Sequence, residues 1–149
     1  MKTGTTLAMA SDHGGFSMKE FLKQKLEDQG YKIKDFGTHS EESVDYPDYI
    51  HPLASEINKG NIEFGIIMCG SGNGAQMTAN KYPNVRAALC WDKEQTILTR
   101  QHNNANVLSL PGRFLDFATA WEMVQLFLST SFEGGRHIRR VEKMSRLLK

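Results

Sequence analysis

The stretch Phe64-Gly-Ile-Ile-Met-Cys-Gly-Ser-Gly-Asn-Gly74 joins an apolar run to a cysteine and a glycine-rich turn. The apolar run is typical of a strand that is buried on both faces of a parallel sheet. Glycines at 70, 72 and 74 allow a tight turn that exposes backbone N–H groups. A helix, which the sequence favours over residues 75–80, would add its dipole. Together these features would favour a negatively charged atom, so the stretch predicts a nucleophile or base, Cys69, beside an oxyanion site.

Two other interpretations of this stretch stay open on the residues alone. A buried free cysteine can serve simply as a small hydrophobic side chain. Gly70, Gly72 and Ala75 also fit the pattern G-x-G-x-x-G/A of dinucleotide-binding loops, with Asp92 about 20 residues further on as a ribose partner. This pattern stands in mid-chain, however, and 149 residues leave little room for a separate substrate domain.

Length and composition are those of an ordinary globular protein. The 149 residues, 40% of them hydrophobic, predict a single domain over residues 1–149. A net charge of +1 offers no broad electrostatic footprint for nucleic acid or for an anionic membrane. The two cysteines lack a dense disulfide pattern, and the polar start lacks the features of a signal peptide. We therefore expect reduced thiols and a cytoplasmic location.

Strand-like and helix-like segments alternate along the chain. Strands are predicted at 7–10, 31–36, 64–68, 85–89 and 107–110, and helices at about 18–26, 49–57, 75–80, 92–101, 115–128 and 136–148. This alternation predicts an α/β fold with a five-stranded parallel sheet that helices cover on both faces. Ligands of such sheets bind at the carboxyl ends of the strands, where Ser11-Asp-His-Gly-Gly15, Cys69 to Gly74 and Pro111-Gly-Arg113 stand.

Histidines and arginines form two further candidate groups. His102 lies near the C-terminus of a predicted helix, where capping or dipole complementarity would also explain it. Arg136, His137 and Arg140 occupy overlapping faces of the last predicted helix. Two arginines and a histidine beside a helix start suit a phosphate dianion, although a solvated basic face would have the same pattern.

A glycine-flanked turn carries Asp12 and His13. Asp12 could cap the following helix, and His13 could be exposed to solvent. These two residues, like Cys69, His102 and His137, have side chains that can ligate metals. None of the compact ligand pairings of a zinc site is recognisable in the sequence, so no metal is predicted.

Taken together, the motifs resemble the ribose-5-phosphate isomerase type B family, within the wider ribose/galactose sugar-phosphate isomerase group. The resemblance covers nearly the whole chain, and the order and spacing of its markers are specific. The markers are Ser11-Asp-His-Gly-Gly-Phe16, Asp45-Tyr-Pro-Asp48, Cys69-Gly-Ser-Gly-Asn-Gly74, Ala79-Asn-Lys81, Arg100-Gln-His-Asn-Asn104, and Glu133-Gly-Gly-Arg-His137 with Arg140. The resemblance implies a Rossmann-like three-layer sandwich with a C-terminal helix, and a homodimer or dimer of dimers. It also implies interconversion of ribose 5-phosphate and ribulose 5-phosphate without metal or cofactor.

The resemblance further implies a role for each site residue. Cys69 would be the base that moves a proton between C1 and C2 through a cis-enediolate, while Ser71 and loop N–H groups hold the oxyanion. His102 and Asp12 would open the sugar ring. Some relatives carry a glutamate at the helix start instead of the cysteine, and here that position is Ala75. The substrate-binding positions are His13, Tyr46, Gly70, Gly72, Asn73, Gly74, Asn103, Arg113, Arg136, His137 and Arg140.

The family's sites lie at a dimer interface, and the resemblance implies that the neighbouring chain supplies His102, Asn103 and Arg113. Allose 6-phosphate and galactose 6-phosphate are alternative substrates, because relatives differ mainly in the pocket for the middle carbons of the sugar. Alternatives of another class are a nucleotide-binding module and a non-catalytic sugar-phosphate sensor. A nucleotide-binding module would leave His102 and Asp12 unexplained. A sensor that only binds its ligand would need neither Cys69 nor His102, so the presence of both residues argues against it.

Overall fold

The computed structural model describes residues 4–146, in which strands alternate with helices. The elements in chain order are β1 (Thr6–Ser11), α1 (Phe16–Asp28), β2 (Lys32–Asp35), α2 (Tyr46–Asn58), β3 (Gly65–Cys69), α3 (Asn73–Ala79), β4 (Ala87–Leu89), α4 (Lys93–Asn103), β5 (Val107–Pro111), α5 (Phe117–Ser129) and α6 (Arg136–Arg146). Every predicted strand and helix is present, with ends shifted by a few residues. Residues 147 and 148, which the sequence assigns to the last helix, lie outside the described residues.

The five strands form one parallel sheet in the order β2-β1-β3-β5-β4. β3 lies at the centre, paired with β1 on one side and β5 on the other, which explains its continuous apolar sequence. The predicted Rossmann-like α/β fold is confirmed. The chain leaves β1 toward β2 and returns on the opposite side of β1 as β3. A topological switch point, where such folds bind ligands, therefore lies between the carboxyl ends of β1 and β3.

The register brings the carboxyl ends of three strands level. Ser11 pairs with Met68 across β1 and β3, and Cys69 pairs with Pro111 across β3 and β5. We call this side of the sheet the carboxyl edge, and the side where the strands begin the amino edge. The loops that follow β1, β3 and β5 leave the carboxyl edge next to one another.

Apolar helix faces cover both sides of the sheet. Leu22 of α1 and Phe127 of α5 are fully buried on one side, and Ile50 of α2 and Ala79 of α3 on the other. Burying each large apolar side chain contributes about 1.5–3 kcal/mol, so the layers hold the sheet firmly. Within residues 4–146, no helix combines the length and the apolar character needed to cross a lipid bilayer.

Arg100 fastens the amino edge. Its buried guanidinium lies 5.0 Å from the ring centroid of Phe64 and 5.7 Å from that of Phe127. Its Nη1 donates to the carbonyl oxygen of Ala105 at 2.7 Å, and its Nε donates to that of Thr130 at 3.0 Å. One side chain therefore joins the end of α4, the entry to β5 and the exit from α5.

Candidate active site

Cys69 is the last residue of β3, at the switch point of the sheet. It is a free thiol and its residue is 5% exposed. Its carbonyl oxygen accepts a hydrogen bond from the N–H of Gly112 at 2.9 Å. The end of the neighbouring strand therefore fixes the backbone that carries the thiol.

Glycines allow three loops to touch at the carboxyl edge. A Cβ on Gly14 would lie 3.1 Å from the nitrogen of Gly70. A Cβ on Gly112 would lie 3.1 Å from the carbonyl oxygen of Gly14 and 3.2 Å from that of Cys69. A Cβ at either position would require the neighbouring backbone to move by a few tenths of an ångström, so these contacts favour glycine. The loops after β1, β3 and β5 consequently form one backbone surface around Cys69.

The glycine loop after Cys69 turns through a left-handed residue. Gly72 has a φ of +78°, and its carbonyl oxygen accepts a hydrogen bond from the buried hydroxyl of Ser109 at 2.8 Å. Within the loop, Oγ of Ser71 accepts a hydrogen bond from the N–H of Asn73 at 3.3 Å. The Ser71 hydroxyl is thereby oriented by its own loop, two residues after the thiol.

Tyr46 covers the glycine loop from α2. A Cβ on Gly74 would overlap the Tyr46 ring, and that ring is partly exposed. The helix begins at Tyr46 and not at the predicted position 49, because Asp45 adopts an extended N-cap conformation and Pro47 suits the first turn. The ring therefore lies where a pocket wall over the loop would be needed.

Asp12 is buried in the turn that follows β1. Its Oδ1 accepts hydrogen bonds from the N–H groups of Gly14 at 2.9 Å and Gly15 at 3.2 Å. The N-cap of α1 is Gly15, so Asp12 closes the preceding turn and does not cap the helix itself. These bonds hold the carboxylate in a fixed orientation at the carboxyl edge.

His13 has a defined hydrogen-bonding role. Its Nδ1 accepts a hydrogen bond from the N–H of Val44 at 3.1 Å, which ties the loop before α2 to the loop after β1. An accepting nitrogen carries no proton, so the ring bears its proton on Nε2. His13 therefore offers an N–H donor, as anion binding requires.

Arg113 also lies at the carboxyl edge. Its backbone N–H donates to the carbonyl oxygen of Gly70 at 3.0 Å, and a Cβ on Gly70 would lie 3.1 Å from Nη1 of Arg113. The guanidinium therefore lies over the glycine loop of its own chain. The resemblance groups Arg113 with His102 on the neighbouring chain. The structure groups it with Cys69 instead, because Gly112 brings the loop after β5 against the loop after β3.

His102 and Asn103 lie at the opposite edge of the sheet. They form the last turn of α4, a helix that leads back to the amino edge before β5 begins. The carbonyl oxygen of Asn106 accepts a hydrogen bond from the N–H of Gly65, the first residue of β3, at 3.0 Å. The five residues of β5 then span about 13 Å to the carboxyl edge. The height of the sheet therefore separates His102 from Cys69 of the same chain.

The rings of His102 and His137 stack at the amino edge. Their centroids lie 4.5 Å apart, with 15° between the ring planes. Oε1 of Glu133 lies 3.6 Å from Nε2 of His102 and 3.7 Å from Nε2 of His137. The backbone N–H of Glu133 donates to the carbonyl oxygen of Gln101 at 3.1 Å, which fastens the loop before α6 to α4. We call His102, Glu133 and His137 the His–Glu–His triad.

The charges around the triad affect the protonation of His137. Burial lowers the pKa of His137 below its ordinary value, and the charges of His102, Arg136 and Arg140 lower it further. The Glu133 carboxylate acts in the opposite direction without cancelling these effects. The neutral imidazole is therefore favoured near pH 7. Arg136 and Arg140 are four residues apart on α6, so their side chains share one face beside the triad.

A groove of about 590 Å³ follows the edge strand β4. Residues of α3, β4, α4 and α6 line it, with Cys90 from the carboxyl edge and Asn103 from the amino edge. The lining also includes the partly exposed side chains of Leu98 and Met144. Burial raises the pKa of the Cys90 thiol to about 11, so this second cysteine stays protonated near neutral pH.

The structure gives two residues, Glu133 and Asp92, contacts that the sequence analysis does not predict. Glu133 received no role there, although its spacing of four residues from His137 was an available signal of contact. Asp92, the candidate ribose partner, is the N-cap of α4, and its Oδ1 accepts a hydrogen bond from the N–H of Gln95 at 2.8 Å. The dinucleotide interpretation therefore loses the acidic residue that it requires.

Comparison with known proteins identifies the family of this chain. Residues 7–144 match the family model described as ribose/galactose isomerase. Ribose-5-phosphate isomerase B of Escherichia coli is 37% identical over 139 residues, which cover 93% of this chain and 93% of that protein.

Solved structures of similar proteins share the fold. The crystal structure of a ribose 5-phosphate isomerase from Thermotoga maritima is 47% identical, with a TM-score of 0.92 over 95% of this chain and 97% of that chain. Ribose-5-phosphate isomerase B from Mycoplasma genitalium, solved with bound ribulose 5-phosphate, is 36% identical, with a TM-score of 0.93 over 99% and 98% of the two chains. Because the family model matches residues 7–144 of this chain, the chain belongs to the ribose/galactose isomerase family.

Proposed function

We propose that this protein is a type B ribose-5-phosphate isomerase that interconverts ribose 5-phosphate and ribulose 5-phosphate. The observation that carries the proposal is the position of Cys69, at the switch point of the sheet and at the start of the glycine loop. A base beside a set of backbone donors suits an aldose–ketose isomerisation. The relatives from Escherichia coli, Thermotoga maritima and Mycoplasma genitalium are named for this activity.

The proposed reaction starts from the closed sugar ring. Ring opening moves one proton from the anomeric hydroxyl and another onto the ring oxygen, and we assign these transfers to His102 and Asp12. The hydrogen bonds from Gly14 and Gly15 support the assignment of Asp12, because they orient its carboxylate before substrate binds. An acid or base that is held in position before substrate binds does not have to rearrange during the proton transfer.

The isomerisation itself is assigned to Cys69. Cys69 as the thiolate would take the proton from C2 of the open aldose and return it to C1. The proton of the C2 hydroxyl moves to the oxygen on C1 in the same conversion, so the carbonyl group passes from C1 to C2. Negative charge develops on the sugar oxygens between these two transfers, and the loop N–H groups of residues 70–74 with the Ser71 hydroxyl would stabilise it. Ala75 cannot titrate, so the start of α3 offers no competing base at that position.

The phosphate would be bound by donors from both edges of the sheet. His13 presents Nε2–H at the carboxyl edge, where Arg113 lies over the glycine loop. Arg136, His137 and Arg140 carry the corresponding groups at the amino edge. Guanidinium groups bind phosphate with paired, charge-assisted hydrogen bonds, which suits them to this task.

A complete site would require two copies of the chain. His102 and Cys69 lie at opposite edges of one sheet, and the strand β5 needs about 13 Å to cross from one edge to the other. A two-fold interface along the β4 groove would reverse the second copy and bring its amino edge to the carboxyl edge of the first. The exposed apolar side chains of Leu98 and Met144 support this location, since such side chains favour burial in an interface. The homodimer would then contain two equivalent sites.

We also propose that the enzyme works in the cytoplasm. Its chemistry depends on a reduced Cys69, and the structure shows both cysteines as free thiols. Cytoplasmic reductants maintain thiols in that form, whereas exported proteins meet oxidising conditions.

The test is conversion of ribose 5-phosphate to ribulose 5-phosphate by purified protein in the presence of a chelator. Allose 6-phosphate and galactose 6-phosphate are assayed in parallel at the same concentrations. Preferred turnover of ribose 5-phosphate is expected, because the named relatives act on that sugar. Preferred turnover of a hexose phosphate would keep the mechanism and change the substrate. No turnover of any of the three would contradict the proposal.

A further inference from the structure

The side chains of the His–Glu–His triad lie close together but too far apart for hydrogen bonds between Glu133 and the two rings. The distances of 3.6 and 3.7 Å from Oε1 of Glu133 to the two imidazole nitrogens exceed the roughly 2.7–2.9 Å of a charge-assisted hydrogen bond. Two atoms bound to one tetrahedral zinc ion at 2.0–2.1 Å lie about 3.3 Å from each other. One ligand atom from each of the three side chains lies within 4.8 Å of the other two. The two rings are stacked with 15° between their planes, and an imidazole lone pair lies in the plane of its ring, so one ring would have to turn out of the stack for all three atoms to reach one ion.

The donor set is also the appropriate one for such an ion. Two imidazole nitrogens and one carboxylate oxygen are a common set of three protein ligands for zinc, and they leave a fourth position for water or another ligand. An imidazole nitrogen binds such an ion through its unprotonated lone pair. The framework is held in place, because Glu133 is fastened to α4 through Gln101.

Electrostatics around the triad act in two directions. The Glu133 carboxylate attracts a cation and faces both rings. Arg136 and Arg140 influence His137 from the same helix and repel a cation at that point. The ion gains direct bonds at about 2 Å, whereas the arginine charges act from further away through partly exposed surroundings, so ligation outweighs repulsion. The arginines reduce the affinity without abolishing it.

We propose that His102, Glu133 and His137 form a binding site for a zinc-class divalent cation, and that occupation of this site inhibits the isomerase. The inhibition rests on the proposed function, because the ion would withdraw His102 from ring opening and His137 from the phosphate. The cation is a regulator and takes no part in the isomerisation.

Binding is tested on metal-free protein with Co²⁺, whose visible absorption rises strongly when nitrogen and oxygen ligands surround it in a tetrahedron. We expect one Co²⁺ per chain, displaced by one equivalent of Zn²⁺. Glu133→Gln removes one ligand and is expected to weaken binding by at least about tenfold. The matched controls are Glu142→Gln, an exposed carboxylate of α6, and His51→Asn, an exposed histidine of α2. Both are expected to bind Co²⁺ as the parent does.

Three results would overturn the site. They are absence of a tetrahedral Co²⁺ spectrum in the parent protein, equal affinity in Glu133→Gln, and loss of binding in Cys69→Ser. The last result would place the ion on the thiol. Thermal melting of Glu133→Gln controls for folding, which we expect to persist because the Glu133 side chain is half exposed and its backbone bond to Gln101 is kept.

The regulatory part is tested by Zn²⁺ inhibition of ribose 5-phosphate turnover. Inhibition that weakens at least about tenfold in Glu133→Gln, in step with Co²⁺ affinity, supports it. Equal inhibition of parent and Glu133→Gln would overturn it. A protein without isomerase activity would contradict the proposed function, while the Co²⁺ spectrum would still decide the site.

Discussion

The two edges of the sheet carry the two halves of the proposed site, and they are built by different means. At the carboxyl edge, adjacent parallel strands deliver three loops whose glycines bring their backbones into contact. Strand register therefore sets the position of Cys69. At the amino edge, the His–Glu–His triad is assembled from the end of α4, a loop and the start of α6. Its geometry depends on side-chain packing around Arg100 and not on strand pairing.

The different construction of the two edges suits two requirements of the proposed reaction: a fixed base for proton transfer, and groups that can be presented to a second copy of the chain. The base and the oxyanion donors belong to the part of the molecule whose positions the sheet determines, as proton transfer demands. The amino-edge groups stand on helix ends beside an open groove, from which they can be presented to a second molecule. The comparison therefore predicts that the isomerisation step depends on the carboxyl edge, whereas ring opening and phosphate binding need groups from both edges. Each of the following experiments tests a part of this prediction.

The largest effect is expected for Cys69→Ala. Loss of the base should lower kcat by at least about 10³-fold while sugar-phosphate binding persists, because the phosphate contacts are elsewhere. Steady-state kinetics and calorimetric binding of ribose 5-phosphate measure the two quantities. The control is Cys90→Ala, which removes a thiol that burial keeps protonated and should leave kcat near that of the parent. Near-normal turnover in Cys69→Ala would contradict the proposed chemistry of the carboxyl edge.

The second-largest effect is expected when two inactive variants are mixed, because their mixed dimer should regain activity. Cys69→Ala damages the carboxyl edge and His102→Asn the amino edge, so a mixed dimer would keep one site in which both halves are intact. Random exchange of subunits in an equal mixture should restore roughly a quarter of the parental activity. The measurement is turnover after co-refolding, with each variant refolded alone as control. No recovery above the sum of the separate variants would show that both edges act within one chain.

A smaller effect is expected from the arginines of α6. Arg140→Ala should raise KM for ribose 5-phosphate about tenfold or more with little change in kcat, because a charge-assisted hydrogen bond to the phosphate contributes about 1.5–3 kcal/mol. Arg139→Ala is the matched control, since Arg139 is the neighbouring residue on another side of the same helix. Equal KM values in the two variants would remove the amino edge from phosphate binding.

The smallest effect concerns the titration of His137. Its imidazole should protonate below the ordinary pKa of 6.5, and Glu133→Gln should lower that pKa further, because the carboxylate raises it. As pH falls below 6.5, the unfolded chain binds a proton on this ring more readily than the folded chain does. The contribution of the neutral His137 ring to folding stability is therefore fully present above pH 6.5. It is lost as the pH falls through the lowered pKa of His137 in the folded chain. Histidine NMR measures the titration, and a midpoint above 6.5 would contradict it.

Sequence periodicity predicted most of the fold because each element has a clear pattern. The uninterrupted apolar run before Cys69 indicates a strand buried on both faces, and the glycines at 70 and 72 indicate the turn. The strand order carries no such pattern, since any of several right-handed arrangements would bury the same faces. Loop contacts such as that between Gly14 and Gly70 arise only once the order places β1 beside β3.

The candidate site could be predicted only in part. Cys69 ends a strand and His102 ends a helix, and connecting helices run opposite to the strands, so their separation follows from the sequence once the directions are considered. The contact between His102 and Glu133 does not follow in that way. It depends on the path of the loop after Thr130, which the buried Arg100 determines through a tertiary hydrogen bond.

The glycine contacts at the carboxyl edge also constrain how the gene can change. Codons for Gly14 and Gly112 cannot change to alanine without a shift of the neighbouring loop backbones, even though these residues have no side chain to offer a substrate. Saturation mutagenesis should find them intolerant. New sugar preferences would therefore have to arise by exchange of bordering side chains such as Tyr46. Side chains at the border of this site can therefore change during evolution, while the backbone of the glycine-containing loops stays the same.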